Sequence, residues 1–229
     1  MFSKVFLAMT ARETVKYRPA RTAYMALHFS PYNKGLSNIP PDLPKGSILL
    51  LDDSTPPENH DPQVIAEQLT SLVSQFSPSA VLLDFQRPHT RELENMAASI
   101  TQALPCSVGV TENYAKKLQC PVFLPPPPVN KPLRDYLQPW LAQGVYLEIA
   151  PEGLRFTVTE TGSAPEPIPV IPDLSLEDKK LRCHYGVEVL QKKAVFTLCR
   201  YKEDLQALVE EAEQLGVIGC VGLYSELQE

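Results

Sequence analysis

Short, densely apolar runs alternate along most of the chain with longer stretches in which apolar residues recur every three or four positions. The short runs have strand length and the long stretches helix length, and their strict alternation predicts parallel βα units. "TAYMALHFS" (22–30), "SILLLDD" (47–53), "AVLLDF" (80–85), "CSVGVTE" (106–112), "CPVFLPP" (120–126) and "VYLEIA" (145–150) read as the first six strands. "SILLLDD" is wholly apolar at its centre, as a strand covered on both faces must be.

The helices between them carry their own start and stop signals. Asp61 is placed to cap a helix with Pro62 at its first position, and Ile65, Leu69, Leu72, Val73 and Phe76 then fall on one stripe. "TRELENMAASITQAL" repeats the pattern with Leu93, Met96, Ala97, Ile100 and Leu104. Little chain separates 106–112 from 120–126, so a very short or missing helix is expected there, and "PLRDYLQPWLAQG" is a helix interrupted by Pro139. "KEDLQALVEEAEQLG" is the clearest helix, closed by Gly216.

The rhythm changes after residue 150. "GLRFTVTETG" (153–162) alternates apolar with polar residues, "APEPIPVIPD" is a proline-rich loop, and "CHYGVEVLQKKAVFTLC" (183–199) reads as a hairpin turning at Gln191–Lys193. An antiparallel insertion over about 153–193 is expected, with "AVFTLC" as the seventh strand of the main sheet and "VIGCVGLY" (217–224) as the eighth. Eight strands in βα order define the fold expectation: an α/β protein, a compact (β/α)8 TIM-type barrel with short or missing helices, forming one domain over 1–229. An open doubly wound sheet is the alternative.

Composition narrows the function classes. Of the 229 residues, 44% are hydrophobic and 21% charged, which suits a globular protein and not a disordered chain. A net charge of −6 argues against a nucleic-acid partner, and no apolar stretch reaches membrane-span length, so a cytoplasmic protein without a membrane partner is expected. Residues 1–21, with Lys4, Arg12, Lys16, Arg18 and Arg21 against Glu13, read as a basic amino-terminal arm. Five widely spaced cysteines form no C-x-x-C pair and read as small apolar core residues. The "PPPP" at 125–128 reads as a stiff strand exit, with a recruitment motif as the alternative.

In a barrel of this kind the working groups stand at the carboxyl ends of the strands. That rule collects His28 and Tyr32 after the first expected strand, Asp52 and Asp53 after the second, Asp84, Gln86 and Arg87 after the third, and Glu112 after the fourth. Glu148 lies at the end of the sixth, Arg200 follows the seventh, and Tyr224 follows the eighth. Asp84, Glu112 and Glu148 are the candidate catalytic carboxyls; His28, Tyr32, Asp53, Gln86, Arg87, Arg200 and Tyr224 are the candidate ligand-binding groups. Asp84 stands out because an anion directly on an apolar strand needs a partner or a purpose, and Arg87 is the expected partner for a structural ion pair. His60 and Asp61, near Asp52 and Asp53, are better explained by loop and capping roles than by metal ligation. No metal and no cofactor is expected, and zincin, nucleophile-elbow, Walker and dinucleotide motifs are all missing.

At "LLDFQ" the chain resembles the chitinase-like glycoside hydrolases of family 18, whose strand pattern D-x-x-D-x-D-x-E ends in the general acid. The aligned residues here are Ser79, Leu82, Asp84 and Gln86, so Asp84 alone matches. The resemblance implies that Asp84 stands where the family supports its substrate's acetamido group, and that Gln86 occupies the position of the acid. An amide has no proton to give a leaving glycosidic oxygen. A barrel that binds a carbohydrate-like or other small polar ligand with little or no hydrolysis follows, with two alternatives open: an active hydrolase using a relocated carboxyl pair from Asp53, Asp84, Glu112 and Glu148, or a non-enzymatic scaffold that docks proteins through the insertion and the basic arm. The sequence leaves the oligomeric state undecided.

Overall fold

The computed structural model describes residues 2–160 and 162–228. Met1, Thr161 and Glu229, which fall in the expected arm, in the strand 153–162 and at the end of the chain, lie outside the described residues.

The chain opens with β1 (Val5–Met9), α1 (Ala11–Lys16), β2 (Thr22–Phe29), the two-residue β3 (Leu36–Ser37) and β4 (Ile48–Asp52). It continues through α2 (Pro62–Phe76), β5 (Ala80–Asp84), α3 (Arg91–Ala103), β6 (Ser107–Thr111), α4 (Glu112–Leu118), β7 (Val122–Leu124), α5 (Leu133–Leu137) and β8 (Val145–Glu148). Five strands then run antiparallel: β9 (Glu152–Thr159), β10 (Gly162–Ile168), β11 (Leu176–Asp178), β12 (Cys183–Leu190) and β13 (Lys193–Arg200). The chain closes with α6 (Lys202–Gln214), β14 (Gly219–Leu223) and α7 (Tyr224–Leu227).

Eight parallel strands form a closed barrel in the order β1, β14, β8, β7, β6, β5, β4, β2, sealed by pairing of β1 with β2; β3 adds an antiparallel edge to β2. The expected TIM-type barrel with short helices and an antiparallel insertion is therefore the fold of the chain. Two strands exchange roles against the sequence reading. The segment read as a solvated arm supplies the first barrel strand: Val5, Leu7 and Met9 are buried, and the positive charges lie outside the strand, Lys4 just before it pairing with Glu213 at 2.5 Å and Arg21 just before β2 donating to the Lys4 carbonyl at 3.3 Å. The expected seventh barrel strand, "AVFTLC", is instead β13, which pairs with β9 and β12 in the second sheet. Hairpin register decides this, because Leu190 pairs with Lys193 and His184 with Cys199, leaving β13 no free edge for the barrel. The insertion thus runs from Glu152 to Arg200.

Helix signals read from the sequence hold at atomic detail. The Asp61 carboxylate accepts from Gln63 N at 2.8 Å, and Ile65, Leu69, Leu72, Val73 and Phe76 of α2 are all buried. Gly216 takes φ +85 just beyond α6, a conformation open to glycine at no steric cost. The link between β6 and β7 holds a complete if brief helix, α4, and α5 ends before Pro139. Inside the barrel a small apolar cluster of Ala8, Ala23, Ile48, Leu50, Ala80, Leu82, Phe123, Tyr146 and Val221 fills the space. Gly109 belongs to that packing: a Cβ there would lie 2.7 Å from Leu82 and 2.9 Å from Tyr146. The far larger second cluster lies between the strands and their helices.

Candidate functional site

Strand periodicity decides which groups enter the barrel mouth. Ile48 and Leu50 point inward, so Asp52 does too; Ala80 and Leu82 carry Asp84 to the same side; Tyr146 carries Glu148. Asp52 and Asp84 are register partners on β4 and β5. Two adjoining cavities result. One, of about 120 Å³, is lined by Asp84, Phe85, Gln86, Glu112, Glu148 and their neighbours; the other, of about 90 Å³, is lined by Asp52, Asp84, Glu148, Met25, Phe123 and Leu223 among others. Asp84, Glu148 and Phe123 belong to both. No Lys, Arg or His side chain lines either one among the described residues.

That charge pattern has a consequence for protons. Burial pushes the Glu148 carboxyl from its ordinary 4.5 up to about 7, with Asp84, Glu226 and Glu152 adding like-charge repulsion. Asp84 is also raised, chiefly by burial; a hydrogen bond from Gln86 Nε2 to its Oδ1 pulls the other way, and Asp52 and Asp53 push it up. The amide of Gln86 is therefore spent on Asp84, the nearest carboxylate. Glu112 is exposed at the first turn of α4, on the rim. Tyr136 of α5 approaches from the side, its hydroxyl donating to the Pro125 carbonyl at 3.1 Å and its pKa raised by burial and by Glu112, Glu152 and Glu148.

The other expected binding groups are engaged elsewhere. Asp53 is only 2% exposed, and its carboxylate accepts from the backbone N–H groups of Gln86 at 2.9 Å and Arg87 at 3.0 Å. Arg87 does not pair with Asp84. Its Nε donates to the Asp53 carbonyl at 2.7 Å and its Nη2 to the Ser54 carbonyl at 3.0 Å, because the loop after β5 folds over the loop after β4 and leaves those oxygens facing it. Arg200, fully buried, donates to the carbonyls of Pro127, Leu181 and Arg182 and to the Glu152 carboxylate at 3.3 Å, which ties the second sheet to the proline-rich exit of β7. His28 donates through Nδ1 to the Phe29 carbonyl at 2.8 Å and meets the Asn38 amide at 3.1 Å through Nε2. Tyr224 stacks on Tyr17 with ring centroids 5.0 Å apart. Tyr32 stands in a separate groove.

Several walls of the cavities were not singled out from sequence, among them Met25, Phe85, Asn113, Phe123 and Leu223. For Phe123 a signal existed only in part, since "PVFLP" is apolar throughout and does not say which residue turns inward. Among the described residues no three His, Cys, Asp or Glu side chains are grouped to hold a metal ion. His60 is bound to the Ser30 carbonyl and Asp61 caps α2.

No protein-family model matches the sequence, and no curated protein matches it. Its fold is shared with solved family 18 glycoside hydrolases. A family 18 N-acetylglucosaminidase from Paenibacillus barengoltzii aligns with a TM-score of 0.57 at 9% identity over 98% of this chain and 97% of that one. A class V chitinase from Nicotiana tobaccum aligns at 0.56 and 10% identity, covering 99% and 95%. The spore cortex-lytic enzyme SleL of Bacillus cereus aligns at 0.55 and 8%, covering 96% of this chain and 70% of that chain. The chain is thus a glycoside-hydrolase-like barrel in architecture, with its inward carboxyls at the strand ends.

Proposed function

We propose that this protein binds a carbohydrate-like ligand in the cleft at the carboxyl ends of its barrel strands and hydrolyses it little or not at all. One observation carries the reading: Gln86, which the motif resemblance aligns with the family's acid, lines the cleft, and its amide donates to Asp84. A side chain without an ionisable proton cannot protonate a leaving oxygen, yet an amide beside a carboxylate suits hydroxyl and acetamido groups. The likeness of fold to an N-acetylglucosaminidase and to chitinases supports N-acetylated sugars as the first ligands to try. The two cavities are small, so the ligand would enter them with one part and lie in the open cleft with the rest. Five free cysteines, four of them buried, support a reducing compartment such as the cytoplasm.

A second reading rests on Glu148. A carboxyl with a pKa of about 7, beside Asp84 in the same cleft, is tuned to the range a general acid needs at neutral pH. In that reading the acid has moved from the loop after β5 to the end of β8, and the protein is an active hydrolase.

A thermal-shift screen against mono- and oligosaccharides, N-acetylated and not, with product analysis of every hit, separates the outcomes. A raised midpoint without shorter products supports binding, because a ligand of the native state stabilises it. Products lost in Glu148→Gln support the second reading. No shift with any sugar rejects both.

A further inference from the structure

The second sheet has one apolar face that the barrel covers only in part. Its strands lie in the order β10, β9, β13, β12, β11. Residues paired across antiparallel strands share a face, and the face alternates along each strand. Phe156, Phe196 and Val187 therefore form one row on one face, and Val158, Ala194 and Val189 form the row beyond it. The opposite face carries Arg155, Thr157, Glu188 and Thr197. Such alternation belongs to a sheet with one face packed and the other solvated.

The packing stops halfway along the strands. Near the barrel, Cys183 and Leu198 are buried together with Val129, and Phe156 and Phe196 are partly buried against them. Farther out, Val158 is 39% exposed, Val187 44% and Val189 79%. None of these residues lines either central cavity. A cluster of exposed apolar side chains on a flat sheet marks a surface that another molecule covers.

The edges and the charges of the sheet say which molecule. Strand addition is blocked, because the edge strand β10 holds Pro165 and Pro167, which have no backbone N–H, and the other edge, β11, is three residues long. The cover must come onto the face. Both hairpin turns stand at the outer end of the sheet, next to the register pair Thr159 and Lys193. Glu160 lies in the turn after β9 and Lys192 in the turn after β12, both exposed, and the boundary between β9 and β13 runs midway between them. A twofold axis along that boundary, between two such sheets packed face to face, sets Phe156 of one copy over Phe196 of the other and brings Glu160 of one copy to Lys192 of the other, twice. The face is complementary to itself in shape, apolarity and charge.

We infer that this face is a self-association surface, on which two copies of the chain pack their insertion sheets about that axis and form a dimer. The inference does not depend on what the cleft binds.

The test is sedimentation equilibrium of the intact protein over roughly 1 to 200 µM, with Val189→Glu, Glu160→Lys and Lys192→Glu alongside wild type. All three positions are exposed, so an unchanged thermal midpoint confirms that each variant is folded. Wild type should pass from monomer to dimer within that range, and Val189→Glu should stay monomeric throughout. Each charge reversal sets like charges together at both contacts and should weaken the dimer about tenfold, while an equal mixture of Glu160→Lys with Lys192→Glu restores opposite charges and should recover wild-type association. A wild type that is monomeric at every concentration overturns the proposal and leaves the face to a different partner. A dimer that Val189→Glu does not disturb, or a mixture of the two charge variants no tighter than either alone, overturns it as well.

Discussion

Asp53 and Asp84 lie at the same end of neighbouring barrel strands, yet their surroundings are opposites. Asp53 is sealed from solvent, with both carboxylate oxygens taken by backbone N–H groups of the next loop. Asp84 faces a cavity, with Asp52 and Glu148 beside it, a neutral amide as its hydrogen-bond partner, and no cationic side chain in the lining among the described residues. Arg87, which the sequence offered as a partner, and Arg200, a candidate ligand-binding group, spend their donors on carbonyl oxygens and, for Arg200, on Glu152. Asp53, Arg87 and Arg200 hold the loops, whereas Asp84 and Glu148 face cavities that no cationic side chain lines among the described residues. Strand-end position alone does not separate these roles; the alternation of side chains along the strand does.

Substitutions sharpen that contrast, beginning with the rim. Arg200→Met removes donors from three carbonyls and strands Glu152 in a half-buried place, and should cost about 3–5 kcal/mol in denaturant unfolding. Asp53→Ala leaves two loop N–H groups without their acceptor and should cost about 2 kcal/mol. If either variant is as stable as wild type, the structural role assigned to the rim is wrong.

The centre should behave in the opposite sense. Glu148 has a folded pKa of about 7 against an ordinary value of 4.5, so the native state holds its proton more tightly than the unfolded chain does. Stability from this group is therefore complete below about pH 4.5 and is lost as the pH rises to about 7, beyond which the loss is constant. Glu148→Gln has no proton to lose, and should be more stable than wild type above pH 7 by about 1–2 kcal/mol once screening is allowed for, with the difference vanishing near pH 4. A variant less stable than wild type at pH 8 would place Glu148 among the structural carboxylates. The smallest effect on folding belongs to Gln86→Ala, expected within about 0.5 kcal/mol of wild type, while sugar affinity falls about five- to tenfold. Unfolding of that variant would assign Gln86 to structure.

The barrel was legible because its strands are buried on both faces and its helices carry caps that can be read directly, as at Asp61–Pro62 and Gly216. The misread strands show where sequence runs out. "VFLAM" is five residues long inside a basic segment, and nothing local tells that Lys4 and Arg21 flank a buried strand. "AVFTLC" precedes a strong helix just as a barrel strand does, and its hairpin partners decide its sheet. In the site, Asp84, Gln86, Glu112 and Glu148 were found by position and do share one cavity. Arg87 and Arg200 were not separable from them, since the direction of a guanidinium depends on which carbonyls the folded loops leave open.

The central claim is that the cleft holds a sugar without a working acid at residue 86. It is tested most directly by product analysis of wild type, Gln86→Glu and Glu148→Gln incubated with an N-acetylglucosamine tetramer, because Gln86→Glu supplies the ionisable proton that the amide lacks. The account predicts no shorter sugars from wild type and measurable release from Gln86→Glu. Release by wild type that disappears in Glu148→Gln would contradict it and make Glu148 the acid of an active hydrolase.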